Sequence, residues 1–232
     1  MLPLLEYFER ILTDIRANPC RYMLAVVLLF VAFPGIDLWF SGLFYDPVTG
    51  FPDSKGEGWE FMLKGVPWLV YGAVIFLTIL WVAGRVLKIS FPGIDGARIA
   101  YLYTTLLLGP ALLVNGVFKA HWGRARPIQI EQFGGDALFS PAWVISDQCS
   151  SNCSFSSGHA SLGFWTTALA LLVPPPHRSW AMAAAMTFAV LVGMSRIVVG
   201  GHFLSDTVFS GIFVMTINLV LYRWMLGQKA VI

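Results

Sequence analysis

Arg196, His202 and Asp206 stand six and four residues apart in Ser195-Arg-Ile-Val-Val-Gly-Gly-His-Phe-Leu-Ser-Asp206, between two long apolar runs. Ionisable groups at the edge of a hydrocarbon slab are costly, so they mark a functional site by default. A helix starting near His202 puts His202 and Asp206 on one face. An aspartate beside an imidazole selects its tautomer and stabilises its charged form, as a nucleophilic or acid–base histidine requires. Arg196 adds a forked donor suited to phosphate or carboxylate. The competing reading of this segment is a set of interfacial polar anchors.

Two further clusters extend the chemistry. Lys119-Ala-His-Trp-Gly-Arg124-Ala-Arg126-Pro127 and Ser156-Ser157-Gly158-His159 open and close the longest polar connection in the chain, residues 119–157. Lys119 and Arg126 can neutralise non-bridging phosphate oxygens, with Arg196 as a bidentate grip. Ser157 and Gly158 open a helix whose free N–H groups favour an anion, and Gly158 has no side chain to hold that anion off. His202, backed by Asp206, can attack phosphorus in line. His159 can protonate the departing oxygen and then activate water. Preorganised cations hold the charge on the equatorial oxygens, so neither a metal nor a cofactor is called for. Arg124 falls off these positions; it is a candidate for a head-group contact.

For these groups to meet, the elements carrying them must share one membrane face. The chain has 232 residues, 57% of them hydrophobic and 12% charged. Soluble domains carry about a quarter charged residues, so this composition predicts an integral membrane protein. A net charge of +2 gives no case for nucleic acid. Residues 2–17 place Leu4, Leu5, Phe8, Ile11, Leu12 and Ile15 at helical spacing between charges, which predicts an amphipathic surface helix over 1–18. Apolar runs then predict six spans within 19–232: about 22–40, 66–83, 99–118, 158–173, 180–199 and 203–222. The expected fold is all-α, a six-transmembrane-helix bundle. In such a bundle the connections between spans three and four and between five and six face the side opposite the termini. Nine Lys and Arg (Arg10, Arg16, Arg21, Arg85, Lys88, Arg98, Arg178, Arg223, Lys229) lie on the terminal side. Six (Lys55, Lys64, Lys119, Arg124, Arg126, Arg196) lie on the other. The positive-inside rule then puts both termini in the cytoplasm and the site outside.

Lys119-x6-Arg126-Pro127, Ser156-Ser157-Gly158-His159 and Ser195-Arg196-x5-His202-x3-Asp206 resemble the three signature motifs of the type 2 phosphatidic acid phosphatase family. That family also includes the soluble vanadium haloperoxidases. The resemblance covers spans three to six. It implies a phosphohistidine on His202 oriented by Asp206, His159 as the acid, and phosphate held by Lys119, Arg126, Ser157, Gly158 and Arg196. Ser156 stands where the family usually has proline, a position that shapes the turn. The outer loop, with Phe133-Gly-Gly-Asp136, Ser140-Pro-Ala-Trp143 and Cys149-Ser-Ser-Asn-Cys153, is similar to the bacterial branch containing lipid A 1-phosphatases.

These features predict a lipid phosphatase of the bacterial inner membrane, acting on a bilayer lipid phosphate and requiring no protein partner. Its active site faces the periplasm, and the lean is to lipid A 1-phosphatase. Phosphatidylglycerophosphate or undecaprenyl pyrophosphate phosphatase, a phosphotransferase on the same scaffold, and a non-catalytic anion carrier are the alternatives. Cys149 and Cys153, on the oxidising side, predict a disulfide tightening the loop before Ser157; two free thiols are the alternative. Asp37, Asp46 and Asp53 are read as helix-end and turn residues.

Overall fold

Pro34-Gly35 interrupts the first apolar run, and the chain bends there. The computed structural model describes residue 14 and residues 17–52 and 57–227. The surface helix expected over 1–18 lies almost wholly outside them, as do Asp53, Lys55 and Lys229. Helix α1, Pro19–Ala32, ends because the residue before a proline is pushed out of the helical region. Helix α2, Gly35–Gly42, leaves at 83° to α1 and carries Asp37 in its first turn. There a carboxylate complements the positive end of the helix dipole.

Helix α3, Glu57–Leu87, follows, with Pro67 inside it. Its outer face (Trp68, Ile75, Phe76, Ile79 and Val86) is exposed and apolar, as a lipid-facing surface must be. Helix α4, Gly96–His121, begins at Asp95, whose carboxylate caps the Arg98 N–H. From Leu107 to Phe118 it is π-helical. Pro110 lacks the N–H that a regular helix needs there. The Asn115 side-chain amide satisfies the Pro110 carbonyl at 2.7 Å. Around Gly109-Pro110 the helix is therefore widened.

After a loop with short turns at Pro127–Gln129 and Glu131–Phe133 come helices α5, Gly158–Leu172, α6, Pro175–Val198, and α7, Leu204–Leu226. Among the described residues, α3, α4, α6 and α7 are long and apolar enough to cross a bilayer, and the bent pair α1–α2 adds a fifth span if counted as one. Helix α5 has 15 residues. At about 1.5 Å per residue it is shorter than a hydrocarbon core of about 30 Å. It is instead the buried axis of the bundle, with Ala160, Phe164, Trp165 and Ala168 packed inside.

Polar bonds pin α5 to its neighbours. The Trp165 indole donates to Thr105 Oγ1 at 2.9 Å and the Asn218 amide to Thr167 Oγ1 at 2.9 Å. The Tyr101 hydroxyl donates to the Asn218 carbonyl at 3.0 Å, joining α4 to α7. Such contacts are worth about 0.6–2 kcal/mol each between membrane helices.

Candidate active site

The polar clusters meet at one end of the bundle because the backbone stitches them together. Cys153 N–H donates to Lys119 O at 3.4 Å and Ser154 N–H to Arg124 O at 2.8 Å, joining the second cluster to the first. Ser157 N–H donates to Asp206 O at 3.2 Å, and Ile128 N–H to Gly200 O at 3.1 Å. The α6–α7 turn reverses through Gly200 in the left-handed region, where a side chain would strike the Phe51 ring. The Gly201 and His202 N–H groups then cap the Arg196 carbonyl. All of this sits where α4 ends, α5 begins, α6 ends and α7 begins.

His202 is 1% exposed. Its Nδ1 lies 2.8 Å from the Ser154 carbonyl. A carbonyl only accepts, so Nδ1 carries the proton and the Nε2 lone pair is left to react. Burial pushes its pKa down to about 3, so the ring is neutral near pH 7. Asp206 was expected to orient this ring. Its Oδ2 lies 3.6 Å from Nδ1, beyond hydrogen-bond range, and accepts instead from Phe203 N–H at 2.8 Å and from the Ser154 hydroxyl. Asp206 thus holds Ser154, and the Ser154 carbonyl holds His202.

Arg124 corrects the sequence reading. It is 0% exposed and out of reach of any head group. Nε donates to Ser140 O at 2.8 Å, Nη1 to Asp206 Oδ1 at 2.6 Å and Ser205 Oγ at 2.9 Å, and Nη2 to Asp37 Oδ2 at 2.8 Å. Its charged face also lies 4.2 Å over the Phe203 ring. A buried guanidinium is tolerated only when paired and hydrogen-bonded in this way. Asp37, Ser154 and Ser205 are the residues that sequence reasoning missed. For Asp37 the available signal was a lone carboxylate inside an apolar run.

His159 Nε2 lies 2.9 Å from the Leu63 carbonyl on α3. In a regular helix that carbonyl would bond the N–H of residue 67, and Pro67 has none. The histidine fills the vacancy left by the proline. Nε2 therefore carries a proton, and Nδ1 is the nitrogen placed to exchange one.

Lys119, Arg126 and Arg196 lie within electrostatic reach of His159, and Lys119 and Arg126 of His202. Among the described residues none of the three has a carboxylate within 4.0 Å. Arg196 is 7% exposed, and its Nε is buried without a hydrogen-bond partner there. Arg126 Nη2 donates to Asn152 O at 2.8 Å. Ser157 caps α5, its hydroxyl accepting from Ala160 N–H at 3.3 Å. A side chain at Gly158 would crowd the Asn115 side chain, whose Oδ1 lies 2.9 Å from where its Cβ would stand. Cys149 and Cys153 are disulfide-bonded, which closes the loop carrying Asn152 and leading to Ser154.

An apolar helical bundle thus gathers at one end two histidines and three cations that have no carboxylate partner among the described residues, an arrangement suited to a membrane phosphatase. The chain belongs to the PAP2 superfamily, whose sequence profile matches residues 98–230. It is 39% identical over 206 residues to a lipid A 4′-phosphatase of Francisella tularensis subsp. novicida (strain U112), covering 87% of this chain and 91% of that protein. A lipid A 4′-phosphatase of Rhizobium leguminosarum is 34% identical over 199 residues, 79% of this chain and 84% of its own. A lipid A 1-phosphatase of Rhizobium johnstonii (strain DSM 114642 / LMG 32736 / 3841) is 29% identical over 166 residues, covering 69% and 58%. The lean toward a 1-phosphatase is therefore not confirmed, because the fuller matches carry the 4′ name. In fold the chain resembles a transmembrane PAP2-type phosphatidylglycerophosphate phosphatase from Bacillus subtilis. The TM-score is 0.54 at 21% identity, over 93% of this chain and 99% of that one.

Proposed function

We propose that this protein hydrolyses a phosphate ester of lipid A, with preference for the 4′ position, through a phosphohistidine on His202. The observation that carries the phosphate site is the cluster of Lys119, Arg126 and Arg196, brought together without carboxylate partners beside two histidines. Arg196 is buried and Lys119 and Arg126 are half-buried, and positive charges crowded together in this way favour an anion among them. The 39% and 34% identity to 4′-phosphatases supports the choice of lipid. The count of nine Lys and Arg against six supports a site on the periplasmic side of the inner membrane, with both termini in the cytoplasm.

In the first step the His202 Nε2 lone pair attacks phosphorus, and the ester P–O bond breaks. Burial, with the nearby cations, holds the His159 pKa down to about 4, and the negative charge of a bound phosphate favours its protonated form. The leaving oxygen takes a proton from Nδ1 of that form, whose Nε2–H stays on Leu63 O. Water then attacks the phosphohistidine, gives its proton to His159, and inorganic phosphate departs. Lys119, Arg126, Arg196 and the α5 N-terminus hold the equatorial oxygens throughout.

The test is phosphate release by pure protein from lipid A, phosphatidylglycerophosphate, phosphatidic acid and undecaprenyl pyrophosphate, with 31P NMR of the lipid A product. The 4′ phosphate is expected to disappear while the 1 phosphate stays. Turnover confined to a different lipid overturns the substrate choice. Full activity in either His202→Ala or His159→Ala overturns the assigned roles.

A further inference from the structure

The pairing of Arg124 leaves a charge imbalance behind the nucleophile. Its guanidinium is shared by two carboxylates, Asp206 on α7 and Asp37 on α2, at 2.6 and 2.8 Å. Both act only as acceptors. Asp37 Oδ1 takes Ser205 N–H at 2.9 Å, and its Oδ2 takes the Ser205 hydroxyl as well as Arg124. Asp206 takes Arg124, Phe203 N–H and the Ser154 hydroxyl. Acceptor-only geometry on all four oxygens is that of ionised carboxylates. Two negative charges around one positive charge leave the buried cluster with a net charge of −1. That cluster backs His202, whose Nδ1 is 3.6 Å from Asp206. Without Asp37, Arg124 would neutralise Asp206 one for one.

We propose that Asp37 is a positioning residue for catalysis: by taking half of Arg124, it keeps negative charge behind His202 as the ring gains positive charge on bonding phosphorus. This rests on the phosphohistidine reading above. When Nε2 forms its bond to phosphorus, Nδ1 keeps its proton and the ring becomes cationic. The charge develops in a site where Asp206 and Arg124 are 0% exposed and water cannot supply the response. Asp37 also lies outside residues 98–230, the part matched by the family profile. The first, bent span thus adds to the site something that the family motifs do not specify. The 83° bend at Pro34-Gly35 turns α2 away from the line of α1 just before Asp37.

The experiment compares kcat and KM for lipid A in Asp37→Asn, Asp37→Glu, the double variant Asp37→Asn/Arg124→Gln, and His202→Ala, each with a thermal unfolding midpoint. Asp37→Asn keeps shape and loses charge. Its kcat is expected to fall about tenfold or more, with KM changed less than about twofold. Asp37→Glu restores the charge and is expected to recover most of that loss. The double variant removes one charge of each sign and returns the cluster to net −1. It is expected to turn over faster than Asp37→Asn although more of the network is gone. A purely structural role predicts the opposite order, with the double variant slowest and rates following the unfolding midpoints. That order, or a folded Asp37→Asn with wild-type kcat, overturns the proposal. If Asp37→Asn does not fold, the Glu and double variants decide: a double variant faster than Asp37→Glu is against charge placement alone, whereas Glu near wild type supports it. His202→Ala separates the two layers. If it stays active, the phosphohistidine reading falls. If it is dead and Asp37→Asn is normal, only the role of Asp37 falls.

Discussion

Replacing Pro67 by alanine should make the protein more stable and less active. Proline in a helix interior costs about 3 kcal/mol relative to alanine, through its missing N–H and its clash with the carbonyl four residues back. Here that carbonyl is Leu63 O, which accepts from His159 at 2.9 Å. The substituted alanine would offer Leu63 O a backbone N–H. The carbonyl has two lone pairs, so His159 would be weakened and redirected rather than expelled, at about 1 kcal/mol. The balance is a gain of about 2 kcal/mol, or about 4–8 °C in Tm for a chain of this size. The same 1 kcal/mol, taken from the orientation of the acid, lowers kcat about fivefold. Tryptophan fluorescence on heating and phosphate release in one detergent preparation give both numbers. A higher Tm with unchanged kcat would refute the role of Leu63 O in presenting His159.

Removing Arg124 as Arg124→Met leaves two buried carboxylates uncompensated and should destabilise by about 3–5 kcal/mol. Arg124→Lys should not restore this, because one ammonium cannot reach Ser140 O, Asp37, Ser205 and Asp206 together; thermal unfolding of the two variants checks both. The pKa of His202, held at about 3 by burial against an ordinary value of 6.5, means that the unfolded chain binds a proton that the folded chain refuses. Its contribution to stability is then complete above about pH 6.5 and is lost as pH falls toward 3. The decline of Tm from pH 6.5 to 4 should be shallower in His202→Gln. Vanadate, which mimics five-coordinate phosphorus, should inhibit turnover, while EDTA should leave it unchanged because Lys119, Arg126 and Arg196 supply the positive charge.

What could be read from the chain was whatever depends on local pattern. The apolar runs located α3, α4, α6 and α7, and Ser157-Gly158 marked the start of α5. Lys119, Arg126, His159, Arg196 and His202 were legible because they stand in polar motifs at the ends of the apolar runs, whose six expected spans would put both loops on one face. Among the described residues the structure has four long spans or five, and backbone bonds rather than span count bring the motifs together. Three-dimensional pairing was not legible. His202 and Asp206 are four residues apart and share a face, yet Arg124, 82 positions before Asp206, draws the carboxylate away from the imidazole. Nothing in the spacing says that an arginine two residues before Arg126 points inward to Asp37. The partner of His159 was hidden as well, since a backbone carbonyl has no sequence signature. Pro67 was its only trace, visible once the consequence of a missing N–H is followed four residues back.

The most direct measurement is the covalent state of His202 during turnover. Protein quenched in base within one turnover and digested should yield a peptide with one phosphoryl group on His202, acid-labile and absent from His202→Ala. A phosphoryl group on another residue, or full turnover with an unmodified His202 throughout, would contradict the account.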